Sequence, residues 1–266
     1  GGLALPVGVL GNDEHGRSLV SIFEEKGVPA DGILTVEGHH TTSKTRVSAG
    51  SRHVKRQQVV RVDREEPFTY NKAQRARAKE ILEQRLKEVD GVMISDYGQG
   101  AVDHDLAGHL IKTARAAGLP VTLDSRWHLL SFPGISAATP NEPELEAIFR
   151  DRVNGDLNLV AQMGGDLRRQ LEAEAVLVTR GGDGMVLVEE GRFRQIHSHG
   201  DGEVADVTGA GDTVISTFTL ALAAGGTYYE AALLSNLAGG LVVKKWGTAT
   251  VGLSELEGAV RLETGL

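Results

Sequence analysis

No cysteine occurs among the 266 residues. Disulfides, thiolate nucleophiles and cysteine-ligated zinc are therefore excluded, and the chain fits a reducing, cytoplasmic compartment. Aromatic residues are scarce at 5%, a poor supply for a ring-filled β-sandwich core. Basic charge also falls short: 28 Lys and Arg stand against 36 Asp and Glu, a formal net charge of −8. Duplex binding rests on a basic face that neutralises phosphates, so nucleic acid is not the expected partner. An acidic enzyme can still hold an anion where a few basic side chains converge. No apolar run approaches the roughly 20 residues that span a bilayer, so no membrane partner is expected. The apolar opening Gly1–Leu10 carries neither a basic n-region nor a cleavage site. It starts without Met and reads as the second strand of a fragment, with part of the natural chain expected upstream.

Glycine is abundant, with 34 residues, and apolar runs alternate with amphipathic ones. Val7–Leu10 reads as a short buried strand, followed by a helix from Ser18 to Lys26 that stops at Gly27. Gly91–Asp96 and Leu119–Asp124 are apolar runs ending in an acid, the form of central parallel strands. Between them a helix is predicted from the N-cap Asp103 to Gly118. Ala175–Thr179 and Met185–Glu189 are two further strands, and helices from about Ala210, Tyr228 and Ser254 close the chain. Repeated βα units imply an α/β fold with a parallel sheet covered on both faces.

One segment breaks the rhythm. Between Thr41 and Asp63, β-branched residues alternate with polar ones, which predicts a β-hairpin outside the main sheet, one face of it polar. Lys44, Arg46, Arg52, Lys55, Arg56, Arg61 and Arg64 lie in or just beyond it, with His53. It reads either as a solvated arm or as a lid that brings cations to a phosphorylated substrate. A half-apolar hairpin with an open strand edge also predicts a homodimer in which two such hairpins pair. The expected division is a core of residues 1–38 and 65–266 with a lid of 39–64.

The strongest chemical signal is Asp206-Val207-Thr208-Gly209-Ala210-Gly211-Asp212, leading into the apolar helix Val214–Ala224. Small residues at a helix start let an anion approach free N–H groups. Asp212 there can accept the proton of an attacking hydroxyl, although an acid in a first helical turn also simply complements the dipole. No Gly-Lys pair exists, which excludes a P-loop, and His-Glu-x-x-His and Gly-x-Ser-x-Gly are absent. His39-His40 and His197-x-His199 read as surface histidines.

This turn resembles the C-terminal signature of the PfkB, ribokinase-like carbohydrate kinases, and three further landmarks follow the family's order. They are Asn141-Glu142-Pro143-Glu144, the turn Thr179-Arg180-Gly181-Gly182-Asp183-Gly184, and Asn236-Leu237-Ala238-Gly239-Gly240. Within the family the chain is most similar to the kinase domain of heptose 7-phosphate kinases, through Ser95-Asp96-Tyr97-Gly98-Gln99-Gly100-Ala101, Lys44-Thr45-Arg46, Val60-Arg61-Val62-Asp63 and Trp246–Val251.

The resemblance implies a ribokinase-like three-layer α/β/α fold with a mostly parallel sheet and a small β-hairpin lid. It implies an ATP-dependent kinase with Asp212 as base and the N–H groups of Gly209, Ala210 and Gly211 as anion hole. Asn141 and Glu144 would hold Mg²⁺ through water, although Asn-Glu-Pro-Glu alone reads simply as a helix start. Thr179, Gly181 and Gly184 would line the triphosphate and ribose, with Asn236 and Gly239 near the base. Asp206 and Thr208 match positions that hold a monovalent cation, K⁺ being the candidate. Lys44, Arg46, Arg61, Asp96 and Arg126 are the expected substrate contacts. The acceptor is a sugar or sugar phosphate, with heptose 7-phosphate giving the 1,7-bisphosphate. The alternatives are another sugar, a sugar acid, a nucleoside, or a relative that binds without turnover. Two departures stand out: the family's first βαβ unit is absent, and Asp124-Ser125-Arg126-Trp127 replaces the usual Asp-Pro-Lys-Gly.

Overall fold

The computed structural model describes residues 2–49, 57–199 and 204–265. The chain forms two compact units, one of Leu3–Arg85 with Gly98–Asp103, the other of Leu86–Tyr97 and His104–Leu266 with the first two residues.

In the smaller unit, β1 (Gly8–Gly11) and β2 (Ile33–Val36) pair in parallel around α1 (Glu14–Glu25). The helix expected from Ser18 starts at Glu14, because Asp13 caps it by accepting the Gly16 N–H at 2.8 Å. The same carboxylate accepts the Thr41 hydroxyl at 2.7 Å. Strands β3 (Ser43–Ala49) and β4 (Gln57–Arg64) form an antiparallel sheet of their own, as the alternating pattern predicted. The register sets Thr45 against Val62 and Val47 against Val60, while Lys44 faces Asp63 and Arg46 faces Arg61. Alternation along a strand puts these pairs on opposite faces, so one face is β-branched and the other charged. Val47, Val60 and Val62 are 48%, 47% and 57% exposed. The expected cations Arg52, Lys55 and Arg56, with His53, lie outside the described residues. The unit ends in α2 (Lys72–Arg85), of which only Ala78 and Ile81 are buried.

The larger unit contains β5 (Val92–Asp96), α3 (His104–Ala116), β6 (Val121–Ser125), β7 (Ala137–Ala138), α4 (Glu142–Phe149) and α5 (Leu157–Gln170). It continues with β8 (Ala175–Thr179), β9 (Met185–Glu189), β10 (Arg192–Ile196), α6 (Ala210–Ala223), α7 (Tyr228–Val242) and α8 (Leu253–Thr264). The strands form one sheet in the order β10-β9-β8-β7-β6-β5. Strands β5 to β8 are parallel, but β9 and β10 run antiparallel. The mostly parallel sheet that the resemblance implied is thus found, with its antiparallel part at β9 and β10. Only residues Arg180–Gly184 separate β8 from β9, whereas a parallel crossover needs a dozen or more.

Both faces of this sheet are covered. Leu177, Met185 and Leu187 pack with Val214 and Phe218 of α6 and Ala231 and Ala232 of α7. The intervening Val178 and Val188 face α5, where a Cβ on Gly164 would stand 2.9 Å from the Val188 Cγ2. Burial on both faces explains the unbroken apolar run Ala175–Val178, each residue 0% exposed. Because β5 and β6 are parallel, their terminal acids Asp96 and Asp124 emerge at the same edge of the sheet, where open α/β sheets bind ligands.

Candidate active site

Helix α6 is preceded by its N-cap Gly209, whose φ of 77° lies in the left-handed region that glycine enters without steric cost. The preceding loop is tied down on both sides. Val243 O accepts the N–H groups of Ala205 and Asp206 at 2.8 and 3.1 Å. The Asp206 carboxylate accepts from Thr208 N at 2.9 Å and Gly247 N at 3.1 Å. The helix is seated by buried Val214, Ile215 and Phe218, and by a 2.6 Å hydrogen bond between the Thr219 and Thr122 hydroxyls. The Ala210 N–H, also expected in the anion hole, closes a turn on Val207 O at 3.2 Å. The N–H groups of Gly209 and Gly211 have no acceptor among the described residues.

Asp212 is exposed in the first turn of α6, and its Oδ1 accepts a hydrogen bond from the Tyr97 hydroxyl at 2.7 Å. Tyr97 directly follows β5. Burial first, then Asp212, pushes its phenol above the usual range, which keeps it a donor. The preceding Asp96 is only 4% exposed. Its Oδ2 accepts from Ser125 Oγ at 2.8 Å and lies 3.3 Å from His128 Nδ1. Its carbonyl accepts the Arg126 N–H at 3.2 Å. Asp96, expected as a substrate contact, is buried and links the ends of β5 and β6.

Four carboxylates converge at this edge. Burial, then the charges of Glu144, Asp212 and Asp96, raises Asp124 to about 7 from 3.8. Burial also raises Glu144, against hydrogen bonds from Asn141 and the charge of Arg126. Asn141 and Glu144 form a capping box on α4: Glu144 N donates to Asn141 Oδ1 at 2.8 Å and Asn141 N to Glu144 Oε2 at 3.0 Å. The motif is thus a helix start, and its partly buried Glu144 carboxyl also lies near Asp124. Of the four carboxylates, Asp96 is buried, Asp124 and Glu144 are partly buried and Asp212 is exposed. Arg126 lies close enough to favour the charged Glu144, and its guanidinium is 5.1 Å from the Trp127 ring centroid.

The β8–β9 turn starts from a backbone bridge between Asn141 and Thr179, which sets the capping box beside it. Arg180, its side chain 5% exposed, pairs with Glu142 at 2.6 Å. Gly184 has a φ of 83°, and a Cβ there would lie 2.1 Å from Ile196 O, so only glycine fits. Asn236 donates from Nδ2 to His197 O at 2.8 Å, which pins α7 to the segment after β10. A Cβ on Gly239 would be 3.2 Å from Val214 Cγ2, so this glycine permits close packing of α7 on α6.

Residues 2–255 match the family described as pfkB family carbohydrate kinase. The chain belongs to this family. Its sugar kinases are phosphotransferases with an alcohol group as acceptor. Among curated proteins, the bifunctional protein HldE of Pseudomonas paraeruginosa is 42% identical over 266 residues, covering 100% of this chain and 53% of that protein. The chain spans about half the length of the curated relatives it matches. Solved structures share the fold. Escherichia coli phosphofructokinase-2 in complex with potassium has a TM-score of 0.74 at 21% identity, covering 99% of this chain and 83% of that one. Arabidopsis thaliana ribokinase with ribose and ATP also scores 0.74 at 21% identity, covering 96% and 81%.

Within this pfkB kinase, the larger unit brings together Asp212, Gly209, Gly211, Asn141, Glu144 and Arg126. Lys44, Arg46 and Arg61 belong to the smaller unit. There Lys44 pairs with Asp63 and Glu65, and Arg61 with Asp63 at 2.8 Å. Arg46 has no acid partner among the described residues. Sequence reasoning passed over Tyr97 and Asp124 as site residues. The signal for Asp124 was its place at the end of an apolar strand; for Tyr97 no local signal existed, since its partner is 115 positions away. His197 is exposed and His39 partly buried, and no cluster of metal-ligating side chains occurs among the described residues. No described helix is long and apolar enough to cross a membrane.

Proposed function

We propose that this chain transfers the γ-phosphoryl group of ATP to a sugar hydroxyl, with heptose 7-phosphate as acceptor and heptose 1,7-bisphosphate as product. One observation carries the reading: an exposed carboxylate, Asp212, sits in the same helical turn as two unpaired N–H groups, those of Gly209 and Gly211. In this reading Asp212 takes the proton of the acceptor hydroxyl, while the N–H groups and the positive end of α6 meet the charge on the transferring phosphoryl group. Thr179, Gly181 and Gly184 line the phosphates and ribose, and Asn236 and Gly239 border the base. Mg²⁺, when bound, neutralises phosphate charge, and Asn141 and Glu144 would hold it through water. Asp206 and Thr208 would hold K⁺. The residues 1–38 and 65–266 would act as the kinase core and 39–64 as its lid.

The choice of a phosphorylated acceptor is supported by the resemblance to heptose 7-phosphate kinases and by the hairpin. Two arginines directly opposite on one strand pair, Arg46 and Arg61, destabilise each other unless an anion joins them. The neutralisation of Lys44 and Arg61 by Asp63 and Glu65 favours a second reading, a kinase for an uncharged sugar. A panel of free and phosphorylated sugars, read by ADP release, separates the two. Heptose 7-phosphate is expected to turn over best, and Arg46→Ala to raise its KM about 10- to 100-fold, as loss of a charge-assisted hydrogen bond does, with the KM for ATP unchanged. Preference for a free sugar, with no effect of the substitution, would sink the heptose phosphate reading.

The exposed valine face of the hairpin supports a homodimer in which two hairpins pair. Sedimentation of the wild type is expected to give a dimer at micromolar concentration, and of Val60→Lys a monomer. A monomeric wild type would end that proposal.

A further inference from the structure

We infer that Tyr97 is a positioning residue for phosphoryl transfer, its hydroxyl holding Oδ1 of Asp212 so that Oδ2 is the oxygen left to take the proton. The inference rests on the reading of Asp212 as the base. Its geometry is specific to one oxygen. Tyr97 donates to Oδ1 at 2.7 Å. The Oδ2 atom has no hydrogen-bond partner among the described residues, and it lies over the glycine turn, 3.9 Å from where a Cβ on Gly209 would be. The free oxygen is therefore the one nearer the glycine turn at the start of α6, and the other is occupied by Tyr97.

Both ends of this contact are mounted on rigid parts of one compact unit. Tyr97 extends from β5, whose last residue is clamped by the hydrogen bonds that Asp96 receives from Ser125 and from the Arg126 N–H. Asp212 extends from α6, which is held to β6 through the Thr122 and Thr219 hydroxyls and lies against β5, where Ser216 Oγ is 3.7 Å from Met93 Sδ. An aspartate in a first helical turn otherwise rotates about two side-chain bonds, and the open Oδ2 would share its orientations with Oδ1. A phenol fixed from a neighbouring strand removes that choice. Preorganisation of this kind contributes to rate by holding reacting groups within a narrow geometry.

The test uses the full chain, saturating MgATP and the best acceptor of the sugar panel. Tyr97→Phe keeps the ring and removes only the donor. It is expected to lower kcat about tenfold while leaving the KM for ATP, the KM for the acceptor and the Tm unchanged, because a positioning role acts on the reacting geometry and not on binding or packing. A wild-type kcat would overturn the inference, as would a lower kcat accompanied by a lower Tm, which marks a packing role. Asp212→Asn, measured in parallel, separates this from the base assignment. If it turns over like the wild type, the base reading itself fails; if it is inactive while Tyr97→Phe is unaffected, only the role of Tyr97 fails.

Discussion

Asp212→Asn is expected to lower kcat by about 10²- to 10⁴-fold, the usual contribution of a positioned general base. That corresponds to roughly 3–5 kcal/mol of transition-state stabilisation. Asn keeps the shape of the side chain and an oxygen that can accept from Tyr97, so the variant isolates proton acceptance from geometry. Nucleotide affinity is expected to stay within about threefold, because Thr179–Gly184 and Asn236 are held by contacts that do not involve Asp212: the Pro140–Thr179 backbone bond, the Arg180–Glu142 pair and the Asn236–His197 bond. ADP release and direct titration with ATP measure the two quantities separately. Asp212→Ala should fall as far or further. Turnover in either variant within threefold of wild type would remove Asp212 from the chemistry.

The second large effect concerns stability and its pH dependence. Asp124 is raised in the folded chain to about 7 from 3.8 by burial and by its acidic neighbours. An acid raised on folding contributes full stability below its unfolded value and loses it as pH climbs through the folded one. The fold is therefore expected to weaken between about pH 4 and pH 7, by up to about 4 kcal/mol from this group, at 1.36 kcal/mol per unit. Asp124→Asn abolishes the loss. It should unfold at a higher denaturant concentration than wild type at pH 8 and match it near pH 4. A variant no more stable than wild type at pH 8 would show that the carboxyl is ionised without strain. The same substitution is expected to lower activity, because buried charge kept at the expense of stability is a common mark of functional sites.

The pattern of residues reveals much of this fold, and its failures have identifiable physical causes. Strands β8 and β9 are bounded as their apolar runs predicted, and α6, α7 and α8 begin within a residue or so of the expected starts. What an apolar run does not encode is direction, since a strand buried on both faces looks the same either way. The five-residue connection Arg180–Gly184 was the available clue that β8 and β9 form a hairpin. Helix α2 was missed because its sequence is charged on nearly every side, with Ala78 and Ile81 alone buried. Strand β7, Ala137–Ala138, is too short to produce a pattern. At the site, the glycine turn and the capping box were visible because each is local in sequence. The Tyr97–Asp212 contact and the gathering of Asp96, Asp124 and Glu144 were not, because they follow from the order of strands and from the seating of α6, which are properties of the assembled unit.

The outermost strand of the large sheet, β10, has a further consequence for how this protein behaves at high concentration. Two of its arginines are fixed in place: Arg192 is pinned by Glu189 through contacts of 2.9 and 2.7 Å, and Arg194 lies 4.3 Å over the Tyr229 ring. An unpaired strand normally templates aggregation, and fixed positive side chains are a common guard against it. The valines of the β3–β4 hairpin carry no such guard. If the hairpins pair as proposed, a guarded β10 would leave that hairpin as the route of self-association, which ends in a closed pair instead of an endless ribbon.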